Sequence, residues 1–345
     1  MPDFEESYEE EETDPEREKP RRMRKRSRTF ASDDGSPPPD VIYRLPYLDW
    51  MNSSLKNRRS PGHIYPSTQC RKLTCKTDFV AAVGEFVGTT MFLFFAFAGT
   101  QVANVGSQNS QNNSTTNAST GFSPIVLTYV SLSFGFSLMV NVWIFFRISG
   151  GLFNPAVTLA MVMVQSLSYV RGFLLLAAQL TGAIFSSFIV KVLFPSSFNV
   201  RTTLSEGTSV TRGVFIEGIL TAELVFAIFM LAKEKHKATF MAPVGIGLAL
   251  FIGELVGVFY TGGSLNPARS FGPCVVTGIW DREHWIYWVG PGAGAVLAVG
   301  FYRFIKILEY EMANPGQDKA SEEEAAQEAE DLEGRRQGTP RKETV

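Results

Sequence analysis

The chain has 345 residues, of which 45% are hydrophobic and 19% charged, and its formal net charge is only -2. The acids and bases crowd the two ends, which leaves the middle of the chain too apolar to meet water as the surface of a soluble protein. Three dispersed cysteines argue against a disulfide framework or a metal site, and no nucleophile, metal cluster or phosphate loop indicates an enzyme or a cofactor.

Six windows of the chain are long and apolar enough to cross a bilayer, which takes about 20 residues of helix. Helices buried in a soluble core would carry polar residues at helical period, whereas these windows are apolar nearly all round. We therefore predict an all-α membrane protein with six transmembrane helices in a lipid bilayer. The windows are residues 79–103, 122–146, 172–190, 214–232, 240–260 and 285–302.

Charged segments flank this membrane domain, which we place at residues 79–308. We expect residues 1–78 to form a disordered cytoplasmic tail and residues 309–345 to form an acidic cytoplasmic tail. Positive charges lie before the first window, after the second window at Arg147, and in the loop KEKHKA between the fourth and fifth windows. These three segments lie on the same side of the membrane if the chain crosses it at every window. Under the positive-inside rule both termini are cytoplasmic, in a protein that we expect in the plasma membrane.

The first tail contains the basic stretch KPRRMRKRSRTF, which we expect to be attracted to the membrane surface and not to nucleic acid. Ser27 and Thr29 lie within it and are phosphorylation candidates, since a phosphate there would weaken the attraction to lipid. The aromatic stretch VIYRLPYLDW allows a second interpretation, in which the tail folds back over the membrane domain as a gate.

The loop after the first window has no charge and reads VGSQNSQNNSTTNASTGF. It contains three sequons for N-glycosylation, at Asn112, Asn113 and Asn117. The charge rule places this loop outside the cell, so the three residues are glycosylation candidates. Sequons also arise by chance in loops rich in Asn and Ser, and that alternative stays open.

The membrane domain contains an internal repeat. Residues 148–161 read ISGGLFNPAVTLAM and residues 260–273 read YTGGSLNPARSFGP, and each copy follows the second window of a three-window set. Because three is an odd number, the second set must enter the membrane inverted relative to the first. The two loops then dip in from opposite faces, and inverted repeats of this kind place their functional site near the midplane.

Each Asn-Pro-Ala tripeptide is predicted to begin a short half-helix, because Asn is a favoured N-cap and Pro a favoured first helical residue. Two half-helices, at 157–165 and 269–277, would direct their positive ends at one point and repel cations, while the Asn amides donate to passing water. The predicted pore residues are Asn154, Pro155, Ala156, Asn266, Pro267 and Ala268.

Three charged residues of the membrane windows and loops need explanation. Glu85 and Glu223 are predicted to be buried, one in each half, and to support the loops by accepting hydrogen bonds from backbone N–H groups. Arg269 occupies the position of Val157 in the first copy, so the second loop carries a fixed positive charge with several donors. We expect Glu254 to pair with this arginine.

These residues together resemble the aquaporin family, also called major intrinsic proteins. The resemblance covers about residues 79–302, and its most specific features are the two Asn-Pro-Ala loops and the stretch NPARSFGP. It implies six tilted helices plus two half-helices, arranged as an inverted three-helix repeat, and a homotetramer in which each subunit has its own pore. Within the family, Ser270, Tyr287 and Trp288 resemble the water-type members more than the glycerol channels.

The resemblance also implies an outer constriction made by Phe134, Glu254, Gly263 and Arg269. Phe134 and Arg269 fit a water channel, but Glu254 stands where strict water channels usually have His and glycerol channels Gly. Gly263 is small, which we expect to open space in the ring.

The function implied is passive, bidirectional transport of water that excludes ions and protons. Three alternatives stay open: a channel that also or mainly conducts hydrogen peroxide or glycerol, a secondary transporter with inverted repeats, and a membrane scaffold without conduction.

Overall fold

The computed structural model describes residues 67–105, 123–234 and 239–314, which belong to one compact unit, Ile64–Val345. Within these ranges the chain forms eight α-helices and no strand. The predicted sequons, the phosphorylation candidates and the aromatic stretch of the first tail lie outside the described residues. The helices are α1 (Ser67–Asn104), α2 (Pro124–Phe145), α3 (Pro155–Met163), α4 (Tyr169–Leu193), α5 (Val210–Ile228), α6 (Ala242–Thr261), α7 (Pro267–Thr277) and α8 (Ile286–Ile307).

Six of these helices, α1, α2, α4, α5, α6 and α8, are long and apolar enough to cross a membrane. Large hydrophobic side chains such as Phe79, Phe173 and Phe215 lie exposed on their outer faces, where a bilayer would cover them. The prediction of six transmembrane helices is confirmed. A π-helical turn, Phe229–Lys233, extends α5 at its end.

The first helix begins earlier than predicted. It starts at Ser67, so the last residues of the segment predicted to be a disordered tail are helical. Asp78 in this extension lies 3.8 Å from Arg171 of α4, an ion pair that links the start of the first span to the start of the third. The apolar window predicted the membrane-crossing part of the helix but carried no information about its polar extension.

The six long helices pack as two similar halves. In the first half α1 packs against α2 and α4, and in the second half α5 packs against α6 and α8. The halves join where α2 meets α6, and small residues allow the two backbones to approach closely there. A side chain at Gly135 would lie 2.9 Å from the carbonyl oxygen of Gly247, and a side chain at Gly247 would lie 2.7 Å from that of Gly135.

The half-helices α3 and α7 each pack against the third span of both halves, α4 and α8. Arg303 of α8 donates to the carbonyl of Met163 at the end of α3, which satisfies one carbonyl that a helix end leaves free. Residues 151–154 and 261–266, which lead into the half-helices, are buried, as irregular backbone within a membrane-spanning bundle requires.

Candidate functional site

The two Asn-Pro-Ala tripeptides cap their half-helices as predicted. Asn154 is extended, with a φ of -148°, and its side-chain oxygen accepts a hydrogen bond of 2.8 Å from the Ala156 N–H. Asn266 has the same φ and accepts from the N–H groups of Ala268, at 2.9 Å, and Arg269, at 3.3 Å. Both asparagines are thus fixed in position by the backbone donors at a helix start.

The two asparagines also bind across to the opposite loop. The side-chain nitrogen of Asn154 donates to the Leu265 carbonyl at 2.8 Å, and that of Asn266 donates to the Phe153 carbonyl at 2.9 Å. Phe153 and Leu265 adopt positive φ angles of 50° and 49°, a conformation that non-glycine residues rarely take. Each amide has one hydrogen left after this bond, so one donor per asparagine can face the space between the loops.

Glu85 makes the contacts expected of a carboxylate that supports the first loop. It is fully buried and accepts hydrogen bonds from the N–H groups of Leu152, at 3.0 Å, and Phe153, at 2.8 Å. Ser149 and Gln179 donate to the same carboxylate from their side chains. Sequence reasoning did not identify Gln179, because a single polar residue on α4 has no distinctive pattern.

The corresponding prediction for Glu223 is wrong. Glu223 is exposed, and the buried carboxylate of α5 is Glu217. Glu217 accepts from the N–H groups of Ser264, at 3.0 Å, and Leu265, at 2.7 Å, and from the Thr261 hydroxyl at 2.6 Å. The two glutamates are six residues apart, which rotates them about 120° around the helix and directs only Glu217 at the loop.

Arg269 is almost fully buried, with 1% of its surface exposed, and binds backbone carbonyls. Its Nε donates to Gly263 at 2.9 Å, Nη1 to Val200 at 2.6 Å and Nη2 to Gly262 at 3.4 Å. The guanidinium carbon also lies 4.8 Å from the centre of the Phe134 ring. Three carbonyl dipoles therefore hold the guanidinium in place.

The expected ion pair between Arg269 and Glu254 is not formed. Among the described residues no Arg or Lys nitrogen lies within 4.0 Å of the Glu254 carboxylate, and neither of its oxygens has a hydrogen-bond partner. The arginine is satisfied by the turn at Gly262 and Gly263, whose positive φ angles of 81° and 60° turn their carbonyls toward it. Backbone carbonyls leave no trace in sequence, so the pairing could not be judged from residue types.

Gly263 does not leave the empty space that its size suggests. A β-carbon built at Gly263 would lie 1.9 Å from Oε2 of Glu254. The carboxyl group of Glu254 thus occupies the notch that the missing side chain leaves. The two unusual residues of the predicted ring form one complementary pair, and the glycine makes room for the glutamate.

Gly263→Ala is expected to lower permeation through the space beside Arg269 severalfold. The new methyl would displace the Glu254 carboxyl from its notch toward the cavity, and the positive φ adds about 1 kcal/mol of backbone strain. The measurement is the flux of water through the variant in proteoliposomes. The double variant with Glu254→Ala should recover most of the flux, because the clash is then gone. Equal water flux in the single and double variants would contradict the claim that the Glu254 carboxyl occupies the space at Gly263.

An internal cavity of about 140 Å³ connects these residues. Apart from Glu254, its polar side chains come from the two loops and the half-helix starts: Asn154, Ser264, Asn266 and Arg269. Most of the remaining wall is apolar and includes Phe92, Phe134, Leu138, Leu224, Ile228, Ile246 and Leu250. Both asparagines and the arginine therefore line one cavity, and most of its remaining wall offers no hydrogen-bonding side chain to a passing molecule.

Comparison with known proteins agrees with this geometry. The family model described as Major intrinsic protein matches residues 72–302. The chain belongs to the major intrinsic protein family. It is 64% identical over 278 residues to Aquaporin-5 of Botryotinia fuckeliana and 63% identical over 278 residues to Probable aquaporin-5 of Gibberella zeae. These matches cover 81% and 80% of this chain but 47% of each relative, so the chain spans about half their length.

A solved structure shares the fold of this major intrinsic protein. The aquaglyceroporin from Plasmodium falciparum has a TM-score of 0.54 and 22% sequence identity, and the match covers 65% of this chain and 95% of that one. At this identity the likeness shows the fold alone. The predicted fold class, six transmembrane helices plus two half-helices, is confirmed.

Two of the three residues that resemble water-type members of the family, Ser270 and Tyr287, lie behind the second loop. Ser270 is fully buried and shares hydrogen bonds with Thr202, at 2.8 Å, and Ser264, at 2.6 Å. The Tyr287 hydroxyl donates to the Thr261 carbonyl at 2.8 Å. Both side chains thus brace the loop that carries Asn266.

A Cys-His contact lies beyond α7. The free, buried Cys274 has its sulfur 3.5 Å from Nδ1 of His284, whose Nε2 accepts from the Trp288 indole at 3.3 Å. Burial lowers the pKa of His284, which favours the neutral imidazole. Within the described residues no three metal-binding side chains cluster, and we assign this contact to packing.

Proposed function

We propose that this major intrinsic protein is a passive, bidirectional channel for water that excludes ions and protons. The observation that carries the proposal is the pair of reciprocal asparagines, which lie in one cavity at the starts of two half-helices. A molecule at this point meets two amide donors and two positive helix ends, while most of the wall around it is apolar. Water binds there without being held strongly.

Exclusion of cations follows from the charges at this point. The start of each half-helix carries about half a positive charge, and Arg269 adds a permanent charge in the same cavity. A cation would also have to shed its hydration shell between mostly apolar walls, where the polar groups, the Glu254 carboxyl included, are too few to offset the loss.

Exclusion of protons follows from the orientation of the donors. A water that accepts from both Asn154 and Asn266 has its oxygen engaged, so it cannot accept a hydrogen bond from the next water in the line. The caps and the cross-loop bonds hold both amides in one orientation. A proton wire through the cavity is interrupted at this point.

We further propose the membrane arrangement that the sequence indicates. Both termini would be cytoplasmic in a plasma-membrane protein, with tails at 1–78 and 309–345 around the channel domain at 79–308. The loop with Asn112, Asn113 and Asn117 would be extracellular, and the subunits would assemble as a homotetramer with one pore each. The charge distribution supports the orientation, and the family resemblance supports the tetramer.

Stopped-flow light scattering on proteoliposomes of the full chain tests the conduction directly. Osmotic shrinkage in sorbitol should be at least about tenfold faster than in empty liposomes, because a continuous path replaces the dissolution of water in lipid. Re-swelling with glycerol should stay close to that of empty liposomes, since the Glu254 carboxyl fills the notch at Gly263.

The outcomes separate the alternatives. Comparable water and glycerol rates would mean that the ring is wide and the protein conducts small polyols. The absence of faster water flux would contradict the channel and favour a scaffold. Current or proton leak that accompanies the water flux would contradict the exclusion of ions.

A further inference from the structure

A π-helical turn ends α5 beside the cavity. It comprises Phe229–Lys233, and a hydrogen bond of 2.9 Å from the Glu234 N–H to the Phe229 carbonyl closes it over five residues. Turns of this kind are rare and occur frequently at functional sites. Ala232 lies within the turn and lines the cavity. The winding of this turn therefore shapes part of the cavity wall.

The wider turn keeps Ala232 on the same face of α5 as the other cavity residues of that helix. Leu224, Ile228 and Ala232 all line the cavity and follow one another at intervals of four residues. In a regular α-helix each such step rotates the side chain by about 40°, because four residues exceed one turn of about 3.6. A π-turn rotates less per residue, so it reduces this drift between Ile228 and Ala232. Because alanine is the smallest of the three, its place on the wall leaves room in the cavity.

Other side chains of the turn pack on the neighbouring helices. Leu231 lies over Gly245 of α6, where an added β-carbon would lie 2.3 Å from a Leu231 methyl group. Phe229 is fully buried, and its ring centre lies 4.9 Å from that of Tyr302 on α8. If the turn rewound as a regular α-helix, Ala232 would rotate past the cavity face and the larger Leu231 would rotate toward it. The winding of the turn thus decides which of these two side chains adjoins the cavity.

Glu234, directly after the turn, binds α8 through both of its carboxylate oxygens. Oε1 accepts a hydrogen bond from the Tyr302 hydroxyl, and Oε2 lies 2.8 Å from Nζ of Lys306. The Tyr302 hydroxyl in turn accepts from Nζ of Lys233 at 2.5 Å. The Glu234 side chain is 19% exposed, so these bonds are better shielded from water than those of a surface ion pair. Two consecutive residues at the end of the turn are therefore fixed to α8.

We propose that Glu234 is a positioning residue, which holds the π-helical turn in place through α8 and so keeps Ala232 on the cavity wall. The proposal rests on the proposed channel function, because water flux is the consequence that it predicts. A π-turn is rare because the regular α-helix is normally favoured, and the bonds of Glu234 to α8 offset this preference. Without them the turn rewinds, and Leu231 narrows the cavity.

The test measures the water flux of Glu234→Met per unit of protein, by stopped-flow light scattering on proteoliposomes of the full chain. Methionine keeps the length of the side chain but has no carboxylate to bind Tyr302 or Lys306. The flux should fall about threefold, because a larger side chain enters the path of the water. Tyr302→Phe removes one of the bonds and keeps the ring beside Phe229, so its loss should be smaller.

Glu311→Gln is the matched control. Glu311 also binds Lys306, at 2.6 Å, but it lies in the turn after α8 and not on α5, so its variant should keep the wild-type flux. The double variant of Glu234→Met with Leu231→Ala separates positioning from stability. Loss of the Leu231 side chain weakens the packing on Gly245, yet it should restore most of the flux, because the side chain that narrows the cavity is gone.

Three results would overturn the inference while leaving the channel function in place: wild-type flux in both Glu234→Met and Tyr302→Phe, a loss in Glu311→Gln as large as in Glu234→Met, or a double variant whose flux is no higher than that of Glu234→Met. Size-exclusion profiles of all variants are compared. If Glu234→Met does not fold, Tyr302→Phe with and without Leu231→Ala gives the same comparison. Absence of water flux in the wild-type protein is a different result, because it contradicts the proposed function itself.

Discussion

Glu217→Ala is expected to lower the water permeability per unit of protein by at least about tenfold and to destabilise the fold by about 3 kcal/mol or more. The carboxylate accepts hydrogen bonds from Ser264, Leu265 and Thr261. Alanine leaves the two buried backbone N–H groups without this acceptor and leaves the Thr261 hydroxyl with only its bond to the Gly257 carbonyl. The loop that carries Asn266 then loses its support on α5. Stopped-flow scattering measures the flux, and thermal unfolding in detergent measures the loss of stability.

The matched control is Glu223→Ala on the same helix. Both changes remove one glutamate from α5, but Glu223 is exposed, whereas Glu217 is buried and binds the second loop. Its flux and unfolding temperature should stay near those of the wild type. If Glu223→Ala is as harmful as Glu217→Ala, or if both are harmless, the assignment of Glu217 as the support of the second loop is wrong.

Arg269→Val is expected to raise proton leak through the pore by at least about tenfold, because the permanent charge that repels protons, in addition to the interruption of the water line at the two asparagines, leaves a low-dielectric cavity. Valine is the residue that the first loop carries at the equivalent position, Val157, so the change makes the two loops alike. The measurement is the quenching of an internal pH dye in proteoliposomes under an imposed proton gradient.

Arg269→Lys separates charge from geometry. Lysine keeps the positive charge but cannot reproduce the three bonds to Gly263, Val200 and Gly262. Proton leak should therefore stay low in Arg269→Lys, while water flux changes because the carbonyls are no longer held. High leak in both variants would show that the fixed hydrogen bonds, and not the charge, exclude protons.

The sequence predicted the fold because the membrane simplifies the problem. An uninterrupted apolar window of membrane length has essentially one stable structure, and Asn-Pro-Ala after two glycines specifies a turn and a helix start. The six spans, both half-helices and both N-caps were therefore accessible from local patterns. The polar extension of α1 to Ser67 was not, since it is part of no apolar window.

The role of a site residue was harder to predict where it depends on the direction in which the side chain points from its helix. Glu217 and Glu223 lie in the same apolar window, and composition cannot tell which one faces the loop. A usable signal was the spacing Glu-x-x-x-Thr, which Glu85 and Thr89 share with Glu217 and Thr221 but which Glu223 lacks.

The surroundings of Arg269 and Glu254 depend on backbone geometry. Residue types alone predict that the opposite charges pair. This prediction was wrong because the Arg269 guanidinium binds the carbonyls of Val200 and of Gly262 and Gly263, two glycines with positive φ angles. The filled notch at Gly263 was likewise invisible, because a glycine in sequence states only that a side chain is missing. Such contacts can be identified only when the backbone positions of both loops are known.

The reciprocal bonds between the loops also bear on how the protein is made. Asn154 needs the carbonyl of Leu265, and Asn266 needs that of Phe153, so each loop completes the other. Synthesis delivers the first loop long before the second, and during that interval the first half holds an unpaired amide and an unpaired carbonyl inside the bilayer. Neither half therefore completes its own hydrogen bonds, and the Asn154 amide and the Phe153 carbonyl find these partners only when the second loop is in place.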